Sequence, residues 1–326
     1  MTWFVWRQHR IEVYIGAALL AAFAVLILIT GEQMAAQYHS ALLACTASDT
    51  CANLSSTVFL GSHAVGFLVI MTLGVPALFG LFWGAPLVAR EFETGTMQFA
   101  WMQSVTRRRW FATEAGWVLL ASAAWGGAIS ALVTWWSGPN NALQLDRFDN
   151  GRFDIQGLVP VGYALFAAAL GIAAGTLIRR TLPAIAVTLG GFIAVRFVIA
   201  ELLRPHYMTA LTVTYKLTGK VPALGSAWQI TQGIIAPDGK VIPPVNGIAV
   251  ANIPISFLPA SCMPQGRGAT SLSPSCVNAI ARFRGFITYQ PASRFWAFQG
   301  IETGIFVGLA AALIALAAVV LLRRDA

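Results

Sequence analysis

The side chains best able to do chemistry in this 326-residue chain are few and far apart. His9, His39, His63 and His206 are scattered, with no HExxH pair that could hold zinc. Cys45, Cys51, Cys262 and Cys276 form no CxxC and lie beside no histidine at ligand spacing, so no metal site is expected. There is no GxSxG nucleophile turn, no GxGxxG dinucleotide loop and no Gly-rich phosphate loop; Gly219-Lys220 is followed by Val221 rather than Ser or Thr. No catalytic constellation can be assembled. What remains are polar and charged residues inside apolar stretches: His63, Arg196, Glu201 and Glu302. Such residues cost free energy in a membrane, and they mark either a pathway or an interhelical pair. Both readings stand here: a substrate-contact or outer-gate cluster, or a pair such as Arg196 with Glu302 that holds the helices together. Glu201 follows Arg196 by five residues, about 140° round the same helix, which is poor geometry for pairing. Glu302 is therefore the acid expected to meet Arg196, unless Arg196 faces a water-filled pathway.

The elements that carry these residues follow from composition. Hydrophobic residues make up 57% and charged residues 10%, with mean hydropathy +0.69. Soluble domains carry about 25% charged residues, so a soluble globular protein is excluded, as is a disordered one. Apolar runs long enough to span a bilayer occur at 13–29, 58–88, 117–136, 158–177, 182–203 and 296–322. The fold class is an all-α polytopic membrane protein with six spans. The first run lacks a cleavage pattern and reads as a retained span. The second is longer than needed and is expected to tilt, kink at Pro76 or project from the bilayer. The formal charge of +8 does not point to nucleic acid, because most arginines flank apolar runs. Arg7 and Arg10, Arg90 with Arg107–Arg109, Arg179 with Arg180, and Arg323 with Arg324 fall on one side. That side reads as cytoplasmic, with both termini inside.

Between spans five and six, residues 204–295 are too many for a structureless connection. They carry eight Lys/Arg against one acid, Asp238. Leu211–Leu217 alternates like a strand, and two β-rich runs flank Pro237-Asp238-Gly239 as in a hairpin. A small, partly β extracellular cap is expected. Loop proximity pairs Cys45 with Cys51 and Cys262 with Cys276 on the outer, oxidising side; the alternative is free thiols. Phe295, Trp296 and Phe298 read as an interfacial aromatic belt.

The cytoplasmic stretch after span two is the most informative. Phe92, Phe99 and Met102 share one face of a short helix over 91–102, with Glu91 and Glu93 at its start and Arg107–Arg109 past its end, as a helix dipole prefers. Arg90-Glu91-x-Glu93-Thr94-Gly95-Thr96, followed by Thr106-Arg107-Arg108, resembles the segment after the second span of ABC-2 type transporter permeases. Arg179-Arg180-Thr181-Leu182-Pro183-Ala184, and Pro291-Ala-Ser-Arg-Phe-Trp296 with Glu302, add to that resemblance. It extends over essentially the whole chain.

The resemblance implies a permease subunit of an exporter in a bacterial cell membrane, moving an amphipathic or hydrophobic compound such as a drug, peptide, lipid or glycan precursor. It implies a cytoplasmic ATP-binding partner that holds ATP and Mg, no cofactor on this chain, and a second permease copy, identical or paralogous. Residues 90–110 would be the coupling segment, and Met1–Arg10 an interfacial element ahead of span one. On this reading residues 1–203 hold spans one to five, 204–295 the cap and 296–326 span six. Two rivals remain: an ion-coupled secondary transporter using Arg196, Glu201 and Glu302, and a membrane enzyme with its site in the outer segment. Gly80-x-x-x-Gly84 and Gly171-x-x-x-Gly175 permit close helix packing without locating an interface.

Overall fold

The computed structural model describes residues 2–48, 63–95, 106–138, 147–148, 150–217, 219–242, 249–250, 253–254, 257–258, 262 and 274–324. Among the described residues, six helices are long and apolar enough to cross a membrane. Span one lies in α1 (Thr2–Ser48). Residues 2–10 are the opening turns of that helix, continuous with span one, and the helix runs well past position 29. Span two is built from α2 (His63–Leu78), a π-helical stretch (Phe79–Gly84) and α3 (Ala85–Thr94) in direct succession. The π turns follow just after Pro76, whose missing N–H weakens the hydrogen-bond ladder there.

Span three is α4 (Arg107–Trp136), which starts ten residues before its apolar run. Thr106 caps it, with Oγ1 accepting from the Arg109 N–H at 3.4 Å. Arg107–Arg109 therefore form the first turn of span three rather than a tail on the preceding segment. A short helix α5 (Asn150–Phe153) precedes span four, α6 (Val159–Ile178). Span five is α7 (Thr181–Val198), extended by a second π stretch (Ile199–Leu203) and a 3-10 turn (Arg204–His206).

Span four is the packing centre, with 72% of its most apolar window buried. Its glycines explain how. A Cβ on Gly171 would drive into the backbone of Gly80 and Ala85, and a Cβ on Gly80 would meet the Ala167 carbonyl. The two GxxxG runs pack on each other within one chain, backbone against backbone.

Residues 205–294, with 146–148, form a second compact unit. Its sheet has strand order β1 (Leu211–Lys216), β6 (Arg284–Gln290), β2 (Trp228–Ile235), β3 (Val241–Ile242), all antiparallel. The hairpin around Pro237–Gly239 is the β2–β3 pair, with Gly239 at φ 83°. The last strand, β6, inserts between the first two. Sequence reading did not foresee this strand. A two-stranded pair, β4 (Ala249–Val250) with β5 (Ile253–Pro254), and helix α8 (Pro274–Ile280) complete the unit. Cys262 and Cys276 are bonded within a core of Ile234, Ile242, Ile253, Leu258, Ile280 and Phe283. Cys51 lies outside the described residues, as does the Cys45 side chain, so the other expected pair falls there too. Span six is α9 (Phe295–Arg324). Phe295 and Phe298 are buried and only Trp296 is exposed, so these residues do not form an aromatic belt. Phe295 packs edge-on against Phe153 at 5.6 Å.

Candidate functional site: a charged pocket beside span five

The chain between spans three and four positions an acid that hydropathy alone conceals. Gly157 turns with φ 71°. Its N–H donates to Thr134 Oγ1 at 3.0 Å, and its carbonyl accepts from Ser130 Oγ. Gln299 of span six accepts from the Leu158 and Val159 N–H groups at 2.9 and 3.0 Å, capping span four, and donates to the Phe153 carbonyl at 3.0 Å. A Cβ on Gly157 would collide with Gln299 Oε1. Held from two helices in this way, the turn delivers Asp154 into the helical unit.

Asp154 there joins a buried network. Arg204 is fully buried and donates to Asp154 Oδ1 at 2.5 Å, and to Glu302 Oε1 and Oε2 at 2.7 and 2.8 Å. Tyr163 of span four donates to Glu302 Oε1 at 2.6 Å and lies 3.1 Å from Asp154 Oδ1. Arg196 donates to Asp154 Oδ2 at 2.7 Å and to the Leu73 carbonyl of span two at 3.0 Å, with its guanidinium 4.8 Å from the Tyr163 ring centroid. Two arginines and two carboxylates thus balance, as burial of charge requires. The expected Arg196–Glu302 pair is corrected: Arg196 is partnered by Asp154, and Glu302 by Arg204. The sequence reading counted Arg204 as the first residue of the outer segment and passed over Asp154, because neither lies within an apolar run.

Arg196 keeps 16% of its side-chain surface exposed, and it faces a cavity of about 380 Å³ between spans two and five. Leu73, Gly74 and Ala77 line one wall, Leu189, Phe192, Ile193 and Phe197 the other, with Asp154, Arg196 and Glu201 as its polar groups. An apolar pocket with a few convergent polar groups suits a guest with an apolar body and a polar end. A second cavity, of about 460 Å³, lies between spans one, two and three and is lined by apolar residues including Phe23, Phe79, Trp83 and Trp125. No charged side chain lines it. The His63 side chain lies outside the described residues, so its place in a gate is not described. No cluster of His, Cys, Asp and Glu suited to a metal occurs among the described residues.

The segment after span two differs from expectation. Glu91 and Glu93 lie in the last turn of α3, which Gly95 ends in a left-handed cap at φ 70°. They are therefore not the start of a separate helix, and Thr96 to Val105 lie outside the described residues. A carboxylate at a helix C-terminus opposes the dipole, and Glu93 escapes this by reaching another helix. Its Oε1 accepts from the Thr181 N–H at 3.0 Å and its Oε2 from Thr181 Oγ1 at 2.5 Å. Beside it, the Arg179 guanidinium stands 4.4 Å over the Phe92 ring. Arg90 and Arg108 are exposed, and Arg107 is half-buried.

Comparison with known proteins adds one finding. A family model described as ABC-2 membrane transporter related matches residues 17–204, which takes in the first five spans with Asp154, Arg196 and Arg204. No curated protein and no solved structure matches the chain.

Proposed function

The chain belongs to the ABC-2 membrane transporter related family, and from that premise we propose that it is the permease subunit of an ATP-driven exporter. A separate cytoplasmic subunit hydrolyses ATP, and a second permease copy completes the pathway. The guest is an amphipathic or hydrophobic compound. Its apolar body lies against Phe192, Ile193 and Phe197, and its polar end lies near Arg196 and Glu201. Arg90, Glu91 and the residues from Gly95 to Arg108 meet the ATP-binding subunit, on the side that the flanking arginines mark as cytoplasmic. Closure of the two ATP-binding subunits shifts this segment and reshapes the pocket.

The observation that carries this reading is the charged pocket between spans two and five, inside the stretch that the family model matches. An ion-coupled carrier is less well supported. Of the two acids it would use, Glu302 is fully buried between Arg204 and Tyr163, and Glu201 alone is exposed.

The test is purification of the tagged permease from its native membranes in mild detergent. An ATP-binding subunit should accompany it, and ATP hydrolysis by the complex should respond to apolar amphiphiles. Arg196→Leu should change which compounds stimulate hydrolysis. Intact permease that carries no ATP-binding subunit would overturn the proposal.

A further inference from the structure

The tie between spans two and five has a consequence for coupling, and it rests on the permease reading above. Glu93 occupies the place of a capping side chain for a helix that is not its own. A helix N-terminus leaves its first N–H groups without intrahelical partners, and Thr181 N–H is one of these in span five. Arg180, the residue at the cap position, makes no side-chain cap bond, so the acceptor comes from the end of span two. The Arg179–Phe92 stack fixes the same two chain ends a second time. Two residues beyond Glu93, the left-handed Gly95 ends the rigid rod.

From Thr181 the helix runs without a break to the pocket residues Leu189, Phe192, Ile193 and Arg196. Thr181 and Arg196 are about 22 Å apart along the axis at about 1.5 Å per residue. A helix of this length moves as a rigid element when one end is displaced.

We propose that Glu93 is a positioning residue: by capping span five, it makes the end of span two and the wall of the charged pocket move as one body. Its task is then to pass on displacement rather than to contact the ATP-binding subunit. Contact with the ATP-binding subunit falls instead to Glu91, about 200° round the helix from Glu93, and to the residues past Gly95.

The experiment uses the whole permease–ATPase complex with a reporter cysteine, Ile193→Cys, in the pocket wall. Maleimide labelling at position 193 is read by peptide mass spectrometry, with and without MgATP plus vanadate. The parent complex should show a nucleotide-dependent change in labelling rate. Glu93→Ala, which removes both hydrogen bonds, should shrink that change by about tenfold. Thr181→Val, which keeps the backbone N–H, should shrink it less, and Thr181→Ser should restore it. All three should retain the ATP-binding subunit and basal hydrolysis. Loss of the subunit in Glu93→Ala but not in Thr181→Val would overturn the inference and make Glu93 a direct contact. An undiminished response in Glu93→Ala would overturn it as well. A parent complex with no nucleotide response at position 193 would instead refute the transporter reading, and the inference with it.

Discussion

Arg204 is fully buried between two carboxylates, so its removal leaves charge without compensation. Arg204→Leu should cost about 3–5 kcal/mol, seen as a lower unfolding midpoint in detergent. Arg204→Lys should recover only part of this, because an ammonium cannot present the planar fork that serves Asp154 and Glu302 together. Arg196 is more exposed, and Arg204 still holds Asp154 when it is lost, so Arg196→Leu should cost less. Double-mutant cycles separate the partners. Arg196→Leu with Asp154→Leu should show a coupling of about 1 kcal/mol or more, whereas Arg196→Leu with Glu302→Leu should show a smaller one, because those two do not touch and are linked only through Tyr163, Asp154 and Arg204. A larger coupling for the second pair would contradict the observed arrangement. Sequence reading found Arg196 and Glu302 because they interrupt apolar runs. It missed Asp154, Arg204 and Tyr163 because two stand at span ends, where charge is ordinary, and the third looks like any aromatic side chain in a span.

At the scale of elements, backbone approach and capping decide the packing. Span two crosses span four where Gly80 and Gly171 face each other, so Gly171→Val must push two helices apart. Overpacking costs about 1–3 kcal/mol, and more where the neighbour is backbone; folded yield in membranes should fall sharply. Gly190→Ala, where nothing lies within 4 Å of an added Cβ, is the matched control and should be tolerated. Both GxxxG runs are visible in the sequence, yet only the structure shows that each is the other's partner. The misplacing of Glu91 and Glu93 at a helix start has a related cause. Acids were assigned to a helix start by the dipole rule, and the rule holds, but for Glu93 the helix start is that of span five. Spacing along one segment cannot show which helix a side chain caps.

At the scale of the whole molecule, the chain is a multi-pass membrane protein of known family with a second compact unit at 205–294, beyond the matched stretch. That unit has a small core and a disulfide fourteen residues in span. Closing a loop of that size contributes about 3 kcal/mol in the chain-entropy account. Cys262→Ser with Cys276→Ser should therefore speed protease cleavage within 205–294. Equal cleavage rates with and without the bond would show that the β-sheet core alone sustains the unit. Its exposed lysines, Lys216, Lys220 and Lys240, offer trypsin sites for that assay.

Composition and apolar run length by themselves determined that this is a six-span membrane protein. Both are sums over many residues, and the cost of exposing polar groups to lipid leaves few alternatives. Local signals were legible for the same reason: the strand at Leu211, the turn at Pro237–Gly239, the Cys262–Cys276 pair, and the family resemblance around Arg90–Thr96 all act within about fifteen residues. The charged quartet was not legible, since Asp154 and Glu302 stand 148 positions apart and meet only because Gln299, Thr134 and Ser130 fold the turn at Gly157 inward. Which arginine serves which acid depends on angstrom-scale placement of side chains from several elements. In a medium of low dielectric, that placement decides whether a buried charge is supported or not. No pattern along the chain records it; the packing of spans two, four, five and six does.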